Sequence, residues 1–250
     1  MIQGLVSVIT PTYNCGAFIG ATIESVQRQT YTDWEMIIVD DGSVDNTEEL
    51  VRRYSDMDPR IRYFALEKNS GTAAARTKAM TYAEGEYMAF LDSDDLWEPQ
   101  KLEQQLRFMK EQACSFSATS YCLIDESGTQ KSRIFHVPAR VDYNRMLLDC
   151  PVGNSTVMYH VEKLGKFTVP DIRKRNDDAL WLKMLKKERY ILGLDEVLTK
   201  YRVRSDSVSS NKFTLIRYHW KLYREIEHLN VFRSAFHIAV WCFIKVFHIK

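Results

Sequence analysis

The chain has 250 residues, 45% of them hydrophobic and 27% charged, which excludes a disordered or fibrous protein and fits a globular one with a substantial core. Lys and Arg number 34 against 33 Asp and Glu. The resulting net charge of +1 speaks against nucleic acid as a partner, because neutralising phosphates needs a strong basic excess.

Short β-branched runs alternate with helical patterns through the first 110 residues. Residues 5–10, 36–39, 61–66 and 87–91 have the continuous apolar character of strands in a buried parallel sheet. Between them Ile19, Ile23 and Val26 recur at helical spacing, and Asp45 with Glu48 makes a capping box for a second helix. Such alternation predicts a doubly wound α/β sheet, with ligands at the carboxyl ends of its strands. From about residue 115 the pattern becomes mixed α+β. Residues 115–124 and 131–137 flank a hairpin turn, Asp125-Glu126-Ser127-Gly128. Residues 155–160, 190–194 and 198–203 read as further strands, residues 177–187 as a helix, and the remainder from Lys212 as amphipathic helix. Without a repeat or a Pro/Gly linker, one continuous unit at 1–210, with halves at 1–110 and 111–210, and a helical appendage at 211–250 are expected.

Five cysteines, odd in number and lacking CxxC or Cys/His spacing, favour a reducing cytosol over a disulfide framework or a zinc site. The first ten residues lack the marks of a signal peptide. The most apolar stretch, 231–249, is interrupted by Arg233, His237, Lys245 and His248, so it is not a membrane span.

Three segments carry candidate chemistry. An apolar strand runs into Asp92-Ser93-Asp94-Asp95. Carboxylates so crowded raise one another's pKa unless a cation offsets them, and Mg²⁺ takes one or two of them while substrate phosphates complete its shell. Asp94 or Asp95 capping the next helix is the plain alternative. A second strand ends in Asp40-Asp41-Gly42-Ser43, where a carboxylate can accept from a base or ribose or simply build the turn. The first strand ends in Thr10-Pro11-Thr12-Tyr13-Asn14, where Pro11 stops the ladder and Tyr13 offers a flat face to a base. After the third strand, Asn69-Ser70-Gly71 precedes a helix with Arg76 one turn in; Gly71 permits close backbone approach to an anion.

Taken in order, residues 6–14, Asp40–Ser43, Asn69–Gly71 with Ala75-Arg76, and Phe90–Asp95 resemble the family 2 glycosyltransferases of the GT-A fold. The resemblance covers residues 4–210 and implies a Rossmann-like, mostly parallel sheet, with a nucleotide-sugar half at 1–110 and an acceptor half at 111–210. It implies an inverting enzyme that uses a nucleotide-diphosphate sugar, a UDP-sugar above all, with Mn²⁺ or Mg²⁺. By position, Pro11, Thr12, Tyr13 and Asp41 would hold the nucleoside, Asp92 would lie beside the ribose and diphosphate, and Asp94 would bind the metal. Asn69, Gly71 and Arg76 would complete the donor site. The family's catalytic carboxylate falls on Asp177 in Asn176-Asp177-Asp178-Ala179-Leu180-Trp181, with Asn176 where Glu is usual and Asp178 as rival. In Tyr201-Arg202-Val203-Arg204 the last residue replaces a common His; a guanidinium cannot ligate a cation but can pair with diphosphate oxygens. The second half, including residues 193–198 and 209–212, is similar to bacterial enzymes of teichuronic-acid and capsular polysaccharide assembly, which implies a cell-surface glycan acceptor, commonly lipid-linked.

Charge divides along the chain. Residues 1–100 hold 8 Lys/Arg and 17 Asp/Glu, whereas 200–250 hold 10 and 3. The basic tail, with Trp220, Tyr223, Phe232, Phe236, Trp241 and Phe243, suits either packing on the domain or a peripheral place on the inner face of the cytoplasmic membrane. A sugar nucleotidyltransferase is the alternative enzyme, but a glycine-rich basic loop expected after the first strand is absent; a non-catalytic sugar-nucleotide binder would have no need of Asp177.

Overall fold

The computed structural model describes residues 1–204 and 212–246. The first half alternates β1 (Ile2–Thr12), α1 (Ile19–Gln27), β2 (Trp34–Asp40), α2 (Thr47–Met57), β3 (Ile61–Ala65), α3 (Thr72–Tyr82) and β4 (Gly85–Phe90). Then come β5 (Leu96–Trp97), α4 (Lys101–Glu111), the hairpin β6 (Phe116–Ile124) and β7 (Gln130–Phe135), β8 (Arg140–Val141), α5 (Tyr143–Asp149), β9 (Met158–His160) and α6 (Val161–Leu164). The chain continues through α7 (Asn176–Leu185), β10 (Ile191–Arg202), α8 (Lys212–Lys221), a π-helical turn at Leu222–Ile226, and α9 (Val231–Val246).

One ten-stranded sheet results, in the order β3-β2-β1-β4-β9-β6-β10-β5, with β7 beside β6 and β8 beside β10. Its first four strands are parallel; β9 enters antiparallel to β4 and opens the mixed half. Alternating side chains serve both faces. Val6 and Val8 of β1 and Met36 and Ile38 of β2 pack with Ile19, Ile23 and Leu102, whereas Ile9, Ile37 and Val39 join Ala75, Ala79 and Trp181. The chain reverses direction across the sheet between β1 and β4, so Thr12, Asp41 and Asp92 emerge together at a switch point.

Several expectations need correction. β1 continues through Pro11, which pairs with Val39. Ile9 O faces β4, accepting from Leu91 N, and Thr12 O faces β2, accepting from Asp41 N; by alternation the missing Pro11 N–H falls on the β4 side, where pairing has ended. Asp45 forms no capping box: its carboxylate takes the Thr47 N–H and hydroxyl and, on the other oxygen, the Gly16 N–H. Residues 154–156 form a 3₁₀ turn, leaving β9 only three residues. The two strands expected at 190–203 are one, β10, because bulges near Leu194–Thr199 absorb the broken alternation. The C-terminal helices pack back: Leu222, Tyr223 and Leu229 share a buried cluster with Leu147 of α5 and Leu180 of α7.

Candidate active site

A cleft of about 650 Å³ opens at the switch point. Pro11, Thr12, Tyr13, Asp41, Arg76, Asp92, Asp94, Asp177 and Arg204 all line it. Asn69 is exposed and does not. Gly71 also stays outside the lining; a Cβ there meets nothing within 4 Å, and glycine is required by its φ of +91° rather than by close approach.

The acidic turn is held from behind. Asp95, 1% exposed, accepts from Ser155 Oγ at 2.5 Å and Arg202 N at 2.8 Å, while Asp92 N donates to the same Ser155 Oγ at 3.0 Å. Asp95 therefore fixes the turn, and neither it nor Asp94 caps a helix, since β5 follows. Burial, then the charges of Asp94 and Asp92, push its carboxyl well above the usual range.

Asp92 and Asp94 face the cleft. Asp92 Oδ1 accepts from Arg76 Nη2 at 3.1 Å and Asn154 Nδ2 at 2.7 Å. Desolvation in the cleft, with Asp94 and Asp177 nearby, raises its pKa to about 6 despite Arg76. Burial raises Asp94 too, opposed by Arg204, whose Nη1 lies 3.4 Å from Asp94 Oδ2. Arg76, 3% exposed, also donates to Asn176 Oδ1 and so ties α3 to the start of α7. Its Nη1 and Nη2 are thus committed within the protein.

On the other side, the Asp41 carboxylate accepts from Ser70 N at 2.6 Å and Gly71 N at 2.8 Å, clamping the loop before α3 while lining the cleft. Asp40 builds the turn, taking Ser43 N, Ser43 Oγ and Tyr63 Oη. Among the described residues the Thr12 hydroxyl is buried without a partner, and Tyr13 is 47% exposed beside it.

Asp177 lies in the first turn of α7 and is half-buried. Asp178 points into the protein: it is 3% exposed, accepts from Arg175 Nη1 at 3.0 Å and sits 2.6 Å from Cys150 Sγ. Packing thus commits Asp178 to the interior, and of the two only Asp177 lines the cleft. Sequence reading missed Asn154 and Ser155, which reach the acidic turn from some 60 residues away without a motif, and the cleft-lining Arg173, Lys174 and Tyr201. The serines of the Arg204 segment, Ser205, Ser207 and Ser209, lie outside the described residues.

Asp41, Asp92 and Asp94 at strand ends thus share one cleft with Asp177 on a helix of the second half, the arrangement expected of a GT-A glycosyltransferase. The family model for glycosyl transferase family 2 matches residues 7–170, and the chain belongs to that family. It is 45% identical over 241 residues to TuaG of Bacillus subtilis (strain 168), named as a teichuronic acid biosynthesis glycosyltransferase, covering 96% of this chain and 94% of that one. It is 38% identical over 217 residues to WfgD of Escherichia coli, named as a UDP-Glc:α-D-GlcNAc-diphosphoundecaprenol β-1,3-glucosyltransferase, covering 86% and 84%. Among solved structures, S. aureus TarS 1–349 in complex with UDP-GlcNAc superposes with a TM-score of 0.73 at 22% identity, over 95% of this chain and 71% of that one. The chain is accordingly a glycosyltransferase of that family.

Proposed function

We propose that the protein moves a sugar from a UDP-sugar to a hydroxyl of a lipid-linked cell-surface glycan by inverting displacement. One observation carries this reading: the nucleotide-side residues Tyr13, Asp41, Asp92 and Asp94 and the α7 carboxylate of Asp177 share one cleft. The choice of UDP and of a lipid-linked acceptor rests on the name of WfgD, and that of a surface glycan on the name of TuaG.

The Tyr13 ring stacks on the base, and Thr12 Oγ1 and Asp41 supply its polar partners. Asp92 receives the ribose and diphosphate side. Asp92 and Asp94 suit a divalent ion: two crowded carboxylates with raised pKa values need a cation, and Arg204 already stands as one beside Asp94. An Mg²⁺ or Mn²⁺ ion held there would take one or two carboxylates, with donor phosphates completing its shell. When bound, the ion offsets charge on the departing diphosphate. Arg204 pairs with the diphosphate oxygens. Asp177 takes the proton of the acceptor hydroxyl as its oxygen bonds to the anomeric carbon, and the sugar–phosphate bond breaks with its electron pair passing to the diphosphate.

A panel of UDP-sugars with Mn²⁺ tests the donor: slow release of UDP from at least one is expected, and release from none removes the UDP-sugar reading.

The exposed face of α9 supports a peripheral membrane position. Its inner face buries Ser234, His237 and Trp241, while Phe232 is 85% and Phe236 61% exposed on the other, with Phe243 further along it. No helix among the described residues is long and apolar enough to cross a membrane. An aromatic face beside Arg233 suits the interface of an anionic bilayer. Because inserting one Phe contributes about 1.5–3 kcal/mol, Phe232→Ser with Phe236→Ser is expected to cut flotation with anionic vesicles at least about tenfold. Equal flotation removes the membrane contact.

A further inference from the structure

Two cations of the cleft have no ion-pair partner among the described residues. Arg173 and Lys174 line it together with Asp177, on the loop that leads into α7. The loop is anchored on both sides of them. Ile172 is 1% exposed, and Arg175 takes a left-handed φ of 65°, pairs with Asp178 at 3.0 Å and lies over the Trp241 ring at 5.8 Å. Among the described residues neither Arg173 nor Lys174 has a hydrogen-bond or ion-pair partner; Lys174 Nζ lies 5.9 Å from the Tyr218 ring of α8. Leu215 of α8 also lines the cleft.

From these placements we propose that Arg173 and Lys174 bind a diphosphate ester on the acceptor, the group that joins a saccharide to its lipid. The site rests on the lipid-linked acceptor proposed above and gives that acceptor a second point of attachment. Uncompensated cations in a partly enclosed cleft favour a phosphate, and Arg adds a fork that matches its oxygens. Position assigns them to the acceptor. They precede Asp177, the residue serving the acceptor hydroxyl, whereas the donor diphosphate faces Asp92, Asp94 and Arg204 at the strand ends. The backbone from Lys174 to Asp177 spans at most about 10 Å, a length comparable to a short saccharide between hydroxyl and diphosphate. Beyond the cations lies α8, which packs on the inner face of α9.

Calorimetry on the full chain, saturated with UDP and Mn²⁺ and titrated with farnesyl diphosphate, tests the site. Arg173→Ala with Lys174→Ala is expected to weaken farnesyl diphosphate at least about tenfold while UDP affinity stays within about twofold. Arg173→Lys with Lys174→Arg should retain most of the binding, and farnesol, without the diphosphate, should not distinguish wild type from the alanine variant. Unchanged farnesyl diphosphate binding in the alanine variant overturns the proposal. So does mutual exclusion with UDP, or a parallel loss of UDP affinity, either of which places the cations on the donor diphosphate. Failure of the wild type to bind UDP at all would instead remove the UDP-sugar reading beneath it.

Discussion

Asp177→Asn is expected to lower turnover at least about 100-fold while UDP binds as in the wild type, the range usual for loss of a general base. Asparagine keeps the volume and hydrogen-bonding reach of aspartate but cannot accept a proton from an attacking hydroxyl. The position itself should tolerate the change: Asp177 is half-buried, lines the cleft and forms no ion pair among the described residues. Asp178 provides the contrast. Its carboxylate is committed to Arg175 and Cys150 inside the protein, so Asp178→Asn should act on stability and on the loop rather than on proton transfer. Steady-state kinetics with a UDP titration separate the two effects. Near-normal turnover in Asp177→Asn would require the base to lie elsewhere.

Trp181→Ala is expected to cost about 3–5 kcal/mol of stability, the usual range for truncating a buried Trp. Trp181 is fully buried, meets Phe90 edge-on at 4.9 Å between centroids and lies 5.8 Å from Phe116. These contacts join fold to function. Trp181 is one helical turn beyond Asp177, and Phe90 is two residues before Asp92, so one indole holds α7 against the strand that delivers the acidic turn. Thermal unfolding should fall by on the order of 10 °C for a chain of this size. Trp181→Phe, which keeps an aromatic ring at the site, should lose much less. A Trp181→Ala protein as stable as the wild type would mean that α7 is held by other contacts.

The parts of this architecture that were legible in the sequence are those written in consecutive residues. Buried parallel strands announce themselves as apolar runs, and Asp41, Asp92 and Asp94 are conspicuous because such runs seldom end in acid. Contacts made across the fold were not legible. Arg76 meets Asn176 a hundred residues later, and Asn154 supports Asp92 from a turn that has no motif. Asp41 looked like a ligand-facing carboxylate, yet both its oxygens also take backbone N–H groups that no side-chain pattern reveals. Periodicity failed where the backbone departs from regular geometry: the β10 bulges imitate a strand break, and Gly193 marks a close approach, since a Cβ there would lie 2.2 Å from Pro138 O. The role of Asp95 shows only in its burial and its partners across the fold. In sequence it is the third of three like acids; in space it turns away from the cleft and holds the other two in place.

Arg204 stands beside Asp94, and a metal ion bound as proposed at Asp94 would have to compete with that pairing. Calorimetric titration of UDP with and without Mn²⁺, on the wild type and on Asp94→Asn, therefore addresses the core of the account. UDP is expected to bind the wild type at least about tenfold more tightly with Mn²⁺ than without it, and Asp94→Asn should abolish most of that difference. UDP binding that ignores both Mn²⁺ and Asp94, or no UDP binding at all, would contradict the proposed metal-assisted donor site.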